Sequence, residues 1–152
     1  MEKKEQYEEL LPQLAALIDG EDEEVSVLAN VAAALHETFH WWWTGFYLVR
    51  KGELRLGPFQ GPVACMHIGF GCGVCGTAWQ RRQTTAVADV EQFPGHIACS
   101  SASRSEIVVP VMAGDDVVAM LDIDSQHLNT FDDTDKFYLE RVVAIISKQL
   151  YK

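Results

Sequence analysis

At 152 residues the chain is long enough to bury a proper core in one domain, and 48% apolar against 22% charged residues is a globular balance that excludes global disorder. A formal net charge of −10 repels phosphate backbones and anionic headgroups, which excludes nucleic acid and membrane surfaces as partners. The start, Met1-Glu2-Lys3-Lys4-Glu5-Gln6, carries no apolar signal region and no apolar run approaches the roughly 20 residues that span a bilayer, so the expected compartment is the cytoplasm.

Glu5 to Ile18 reads as a helix with Leu10, Leu14, Leu17 and Ile18 on one face and Pro12 as its weak point. After the break at Asp19-Gly20-Glu21-Asp22, a second helix is expected from Glu23 to Phe39, with Val27, Val31, Ala34, Leu35 and Thr38 at helical spacing. Its acidic first turn suits the positive end of the helix dipole. The aromatic and β-branched run Trp41 to Arg50 predicts a strand, Lys51-Gly52 a turn, and Glu53 to Phe59 the returning strand of a hairpin. Pro62 to Met66 reads as a short strand, Gly73 to Arg82 as a short helix, Thr84 to Val87 as a strand and the 90s as loop or short helix. Glu106 to Met112 and Val117 to Asp124 predict a second hairpin, turned at Ala113-Gly114-Asp115-Asp116. Asp132 to Leu150 is a closing helix with Phe137, Leu139, Val142, Val143, Ile146 and Leu150 as apolar positions. Helices at both ends of a mostly antiparallel sheet make an α+β fold, expected as one domain over residues 1–152.

All four cysteines fall in two segments rich in glycine. One is Cys65-Met66-His67-Ile68-Gly69-Phe70-Gly71-Cys72-Gly73-Val74-Cys75-Gly76-Thr77-Ala78; the other is Phe93-Pro94-Gly95-His96-Ile97-Ala98-Cys99-Ser100. Glycines let backbone or a ligand approach closely, which suits thiol chemistry at a small-molecule pocket better than core packing. In a reducing compartment a structural disulfide is disfavoured, so clustered cysteines point to metal or redox work. Cys72-x-x-Cys75 is half of a zinc site that Cys65, Cys99, His67 or His96 would complete. The second C-x-x-C that would make zinc a strong reading is missing, so neither metal nor cofactor is expected.

Other positions carry chemistry too. Cys75 sits near the start of a predicted helix, where the dipole would lower its pKa. Glu106 in the apolar run Glu-Ile-Val-Val-Pro is a candidate for a raised pKa, which a proton donor at neutral pH needs. Asp122 and Asp124 bracket Ile123 on a strand and so share one face; like charges there push one pKa up, unless the pair merely faces solvent. Trp43 and Tyr47, four apart on a strand, also share a face, and Trp41 and Trp42 are assigned to structure. No orienting carboxylate marks His67 or His96 as a base, so both are expected in packing or backbone contacts. Arg104 could hold an anionic group but reads as an exposed loop arginine, and the backbone amides of Ile97 to Ser100 could hold such a group equally well.

In chain order, Trp43-Thr44-Gly45-Phe46-Tyr47, Gly57-Pro58-Phe59-Gln60-Gly61, Gly73-Val74-Cys75-Gly76-Thr77-Ala78, Gly95-His96-Ile97-Ala98-Cys99, Ser105-Glu106-Ile107-Val108-Val109-Pro110 and Leu121-Asp122-Ile123-Asp124-Ser125 resemble the free methionine-R-sulfoxide reductases. These are single GAF-domain enzymes that reduce free L-methionine-(R)-sulfoxide and not the residue within a peptide. The likeness covers nearly the whole chain and is least diagnostic over the first thirty residues. It implies a GAF fold, with Cys99 as the attacking thiol, Cys65 as the resolving thiol and Cys75 as a third thiol that exchanges. It also implies Glu106, Asp122 and Asp124 as acidic pocket residues, Trp43 and Tyr47 as an aromatic wall, a thioredoxin-type reductant and a homodimer. Two positions depart from the pattern: Cys72 stands where relatives more often carry a basic residue, and Ser100 where many have Asp.

That chemistry has a minimum kit. A thiolate attacks the sulfoxide sulfur, the oxygen is protonated, methionine leaves and the enzyme keeps a sulfenic acid; a second thiol condenses with it, and an external dithiol reduces the resulting disulfide. Ring faces such as those of Trp43 and Tyr47 stabilise the sulfur when protonation makes it cationic. The alternative is a non-catalytic GAF module that senses a small ligand or redox state; such modules normally sit beside an output domain, for which 152 residues leave no room.

Overall fold

Strand alternation divides this protein into two unequal halves. The computed structural model describes residues 1–95 and 102–152. Among the described residues six strands are present: β1 (Trp43–Arg50), β2 (Glu53–Gln60), β3 (His67–Ile68), β4 (Thr85–Val87), β5 (Ser105–Ala113) and β6 (Asp116–Ser125). They pair antiparallel throughout, in the order β3-β2-β1-β6-β5-β4. The helices are α1 (Lys3–Ile18), α2 (Glu24–Phe39), α3 (Gly73–Arg81) and α4 (Asp133–Leu150). The α+β reading, with helices at both ends of an antiparallel sheet, holds, and no helix among the described residues is long and apolar enough to cross a membrane.

Successive side chains on a strand point to opposite faces. One face of the sheet presents Phe46, Ile107, Val109, Leu121 and Ile123 and packs against Tyr7, Leu14, Leu28, Leu35, Leu139 and Ile146 of α1, α2 and α4. The other face presents Trp43, Tyr47, Val108 and Met120 and, among the described residues, packs on a single short helix, α3, through Val74, Cys75 and Ala78, with Ala64, Cys65 and Phe93 packed beside it. A nine-residue helix covers less sheet than three long ones, so a cleft opens on that face.

Three details differ from the sequence reading. The short strand expected at Pro62 to Met66 forms instead at His67–Ile68, paired with Leu54 and Arg55 of β2. Gly61, at φ 138°, turns the chain, and Pro62 has no N–H to give a ladder; the first bond back to β2 is Leu56 N–H to the Met66 carbonyl, at 3.0 Å. Leu17 and Phe137 are 51% and 48% exposed, while Tyr7 and Tyr138 take the buried places and stack with ring centroids 5.1 Å apart. Tyr7 is drawn inward by buried Asp135, whose carboxylate accepts from the Tyr7 hydroxyl at 2.6 Å and from Lys3 Nζ at 2.7 Å, tying α1 to the capping box at the start of α4. Pro12 is tolerated inside α1 because the buried stripe Tyr7, Leu10, Leu14 and Ile18 continues across it.

Candidate active site

Register across three neighbouring strands assembles the polar floor of the cleft. Trp43 of β1 lies opposite Asp124 of β6, and Asp124 lies opposite Glu106 of β5. One step along, Gly45 faces Asp122, which faces Val108; a further step pairs Tyr47 with Met120. Period two places all of these on the α3 face. The first turn of α3 then brings Cys75 over the floor, so that its sulfur and carboxylate oxygens of Glu106 and Asp122 lie within 4.8 Å of one another. Trp42, Trp43, Tyr47, Val63, Ala64, Ile68 and Cys72 form the walls, and Ser103 reaches in to donate to Asp124 Oδ1 at 3.1 Å.

Glu106 and Asp122 are each only 6% exposed. Burial raises the Glu106 carboxyl well above the usual carboxylate range, with the charges of Asp122 and Asp124 adding to it. Asp124 is raised in the same way by burial and by Asp122, partly opposed by the Ser103 hydroxyl. The floor therefore retains protons where exposed carboxylates have lost them, as the sequence predicts for Glu106 and for one member of the aspartate pair. For Cys75 the expected sign is wrong. Burial pushes its thiol well up, and Asp122, Glu106 and Asp124 push it further, which outweighs any lowering by the dipole of α3.

The aromatic wall is held from both sides. Trp43 stacks on Phe59 with centroids 5.2 Å apart and on Tyr47 at 6.0 Å, while its indole N–H donates to the Pro62 carbonyl at 3.0 Å. The Tyr47 hydroxyl donates to the Cys65 carbonyl at 2.8 Å, which anchors the cysteine-bearing segment to the cleft. The ring of Trp43 lies over Gly45: a Cβ there would sit 2.3 Å from Phe59 Cβ and 2.7 Å from the far edge of the indole. Gly45→Ala is therefore expected to destabilise the fold by roughly 1–3 kcal/mol through overpacking and to weaken substrate binding by displacing Trp43. Thermal denaturation and KM check this; an unchanged melting temperature would show that the wall yields at no cost.

The described cysteines differ in state. Cys65 is half-buried, packs against the apolar cluster that contains Cys75, and is engaged in a disulfide. Cys72 is an exposed free thiol and Cys75 a buried one. Cys99, Ser100, His96 and Ile97, on which several sequence expectations rest, lie outside the described residues. His67 is exposed with Nδ1 2.8 Å from Glu53 Oε1, an ion-pair geometry rather than the packing or backbone contact expected of it. Arg104 is exposed, as expected.

Several cleft residues escape sequence reading, Trp42 and Ser103 among them. Trp42 lines the cleft although alternation from Trp43 would send it to the opposite face; it precedes β1, so strand alternation does not apply to it. Ser103 lies in a loop with no pattern to mark it. Of the described residues, Cys75, Glu106 and Asp122 are those whose donor atoms stand close enough to hold a metal ion. Binding would have to strip the protons that burial favours on the thiol and on Glu106.

The GAF domain family matches residues 21–148. The chain is 54% identical over 145 residues to GAF domain-containing protein A of Dictyostelium discoideum, covering 95% of this chain and 92% of that protein. It is 44% identical over 151 residues to the free methionine-R-sulfoxide reductase of Escherichia coli (strain K12), covering 99% and 92%. Among solved structures it is similar to the free methionine-R-sulfoxide reductase of Neisseria meningitidis in complex with its substrate, with a TM-score of 0.96, 50% identity and coverage of 98% of this chain and 90% of that one.

Proposed function

Because this chain belongs to the GAF domain family and, within it, to the free methionine-R-sulfoxide reductases, we propose that it reduces free L-methionine-(R)-sulfoxide to L-methionine in this cleft. The observation that carries the reading is the opposition of an aromatic wall, Trp43 and Tyr47, to a proton-retaining acidic floor, Glu106, Asp122 and Asp124. A sulfoxide needs both. Its oxygen must be protonated as its sulfur is attacked, and the cationic sulfur that results is favoured by ring faces.

Cys99 attacks the substrate sulfur as a thiolate. The S–O bond breaks, the oxygen passes to Cys99 as a sulfenic acid, and the sulfur keeps its electron pair as methionine departs. Glu106 is the proton donor, since burial and the charges of Asp122 and Asp124 make its carboxyl hold a proton to higher pH than an exposed one does. An ionised aspartate of the Asp122–Asp124 pair holds the substrate ammonium. The Cys65 thiol then condenses with the sulfenic acid, releasing water and forming a Cys65–Cys99 disulfide. Cys75 exchanges with that disulfide, and a thioredoxin-type dithiol takes up the oxidation, so each turnover consumes one dithiol and yields one water. The engagement of Cys65 in a disulfide while Cys72 and Cys75 are free supports this assignment of the resolving thiol. A single domain over residues 1–152, a homodimer and a cytoplasmic site complete the proposal, following the family resemblance and the free thiols.

Turnover of the separated R and S epimers of free methionine sulfoxide with a dithiol reductant tests it. Consumption of the R epimer alone is the expected result. Turnover of neither epimer would overturn the enzyme reading in favour of a ligand-sensing GAF domain, and equal turnover of both would overturn its stereochemistry.

A further inference from the structure

Cys72 and Cys75 have no place together in the scheme above, yet the fold treats them as a pair. Cys72 is the N-cap of α3 and Cys75 the third residue of that helix. These two positions lie on the same side of the first turn, since an N-cap side chain reaches the third residue's N–H and the third residue's side chain reaches back to the N-cap N–H. Here the Cys72 side chain makes no capping hydrogen bond; its thiol donates instead to the Phe70 carbonyl outside the helix, at 3.8 Å, the long distance of a weak sulfur hydrogen bond. Both thiols line the cleft, both are free, and they differ in exposure: Cys72 is open to solvent and Cys75 is buried. A C-x-x-C pair at a helix N-terminus, with an outer thiol that meets its partner and an inner one that resolves, is the working arrangement of dithiol–disulfide exchange proteins.

The chain between Cys65 and Cys72 is short and turns back on itself. Gly71 takes a positive φ of 76°, Cys72 N–H bonds to the Gly69 carbonyl at 3.1 Å, and Gly71 N–H bonds to the Gly76 carbonyl at 2.9 Å. This folds the segment carrying Cys65 over the start of α3, where Cys65 packs against the cluster containing Cys75.

We infer that Cys72 and Cys75 form a second redox pair, an internal dithiol that takes the oxidation from the Cys65 disulfide and presents it to the external reductant. The existence of the pair stands on geometry; its place in the cycle rests on the reading under Proposed function. The Cys72 thiolate attacks the Cys65 sulfur, the Cys65–Cys99 bond breaks and Cys99 leaves as a thiolate. Cys75 then attacks the Cys72 sulfur of the mixed disulfide, so that its exchange with the Cys65–Cys99 disulfide runs through Cys72, and its proton passes to Cys65 as that sulfur is expelled. Two thiols and one disulfide enter and two thiols and one disulfide emerge; no electrons are gained or lost until a protein dithiol reduces Cys72–Cys75. Cys99, which this hand-over returns to the thiolate, is ready for the next substrate before the external reductant arrives.

Two measurements on the full-length protein test the inference separately from the enzyme reading. In glutathione redox buffers, with thiols alkylated at each potential and mapped by mass spectrometry, a reversible Cys72–Cys75 disulfide is expected, and it is lost in Cys72→Ser. This readout needs no sulfoxide turnover. In the second measurement one equivalent of R-sulfoxide is added and the disulfide is mapped over time. A Cys65–Cys99 species is expected first and a Cys72–Cys75 species after it, while Cys72→Ser stops at the first. Full alkylation of Cys72 at every potential and time point would overturn the inference, even if the protein proves an active reductase. Closure of the pair in glutathione alone, with Cys65–Cys99 persisting after sulfoxide, would overturn the hand-over.

Discussion

Cys99→Ser is expected to abolish turnover, with kcat/KM falling on the order of 10⁴-fold or more, as for loss of other covalent nucleophiles. The reason is chemical. A serine hydroxyl is not ionised near neutral pH and cannot accept the sulfoxide oxygen as a sulfenic acid, so no partial route remains. The contrast variant is Cys65→Ser, which removes only the second half of the cycle: methionine is released once per active site, and the sulfenic acid then accumulates where a dimedone-type trap finds it. Rapid-quench measurement of methionine against enzyme concentration separates the two variants. A Cys99→Ser protein that retains full activity would sink the nucleophile assignment, and a first-turnover burst missing from Cys65→Ser would reverse the two roles.

Glu106→Gln is expected to act in opposite directions on activity and on stability. Glutamine keeps the shape and accepts no proton chemistry, so kcat falls by roughly 10²–10⁴-fold, the usual size of a general-acid contribution. Folding should gain. The folded-state pKa of Glu106 lies well above its ordinary 4.5, with burial and then Asp122 as the causes. A raised folded pKa means that the stability this group contributes is fully present below the unfolded value and is lost as pH rises through the folded one. Asp124, raised above its ordinary 3.8, adds a second loss of the same sign. The ligand-free wild-type melting temperature is therefore expected to fall as pH rises from about 4 into the alkaline range, because ionising the floor there crowds like charges in a dry site. Glu106→Gln removes one of the two contributions and should melt higher at pH 8, by on the order of 5 °C for a chain of this size. Thermal denaturation from pH 4 to 9 checks this. A variant whose melting curve runs parallel to wild type across that range would show that Glu106 does not carry the strain. The trade itself is common where a site needs a buried, poorly solvated acid.

Much of this protein can be read from its sequence because the signals are local. The long helices, both hairpins and the alternation that puts Asp122 beside Asp124 and Trp43 beside Tyr47 follow from periods of 3.6 and 2, and six short motifs in order point to the enzyme family. The isolated Glu106 in an apolar strand announces an unusual acid without any fold at all, since burial alone is enough to raise it. What required the tertiary structure is every property that depends on groups arriving from different elements. Cys75 looks activated as a residue near a helix start, and becomes the reverse once Glu106 from β5 and Asp122 and Asp124 from β6 converge on it. The place of β3 depends on where β2 can accept a partner after Pro62, and the inward turn of Tyr7 depends on Asp135, 128 residues away. Trp42 enters the cleft because it lies outside the strand whose alternation would have excluded it. Periodicity is a property of neighbours along the chain, whereas the sign of a pKa and the lining of a cleft are sums over neighbours in space.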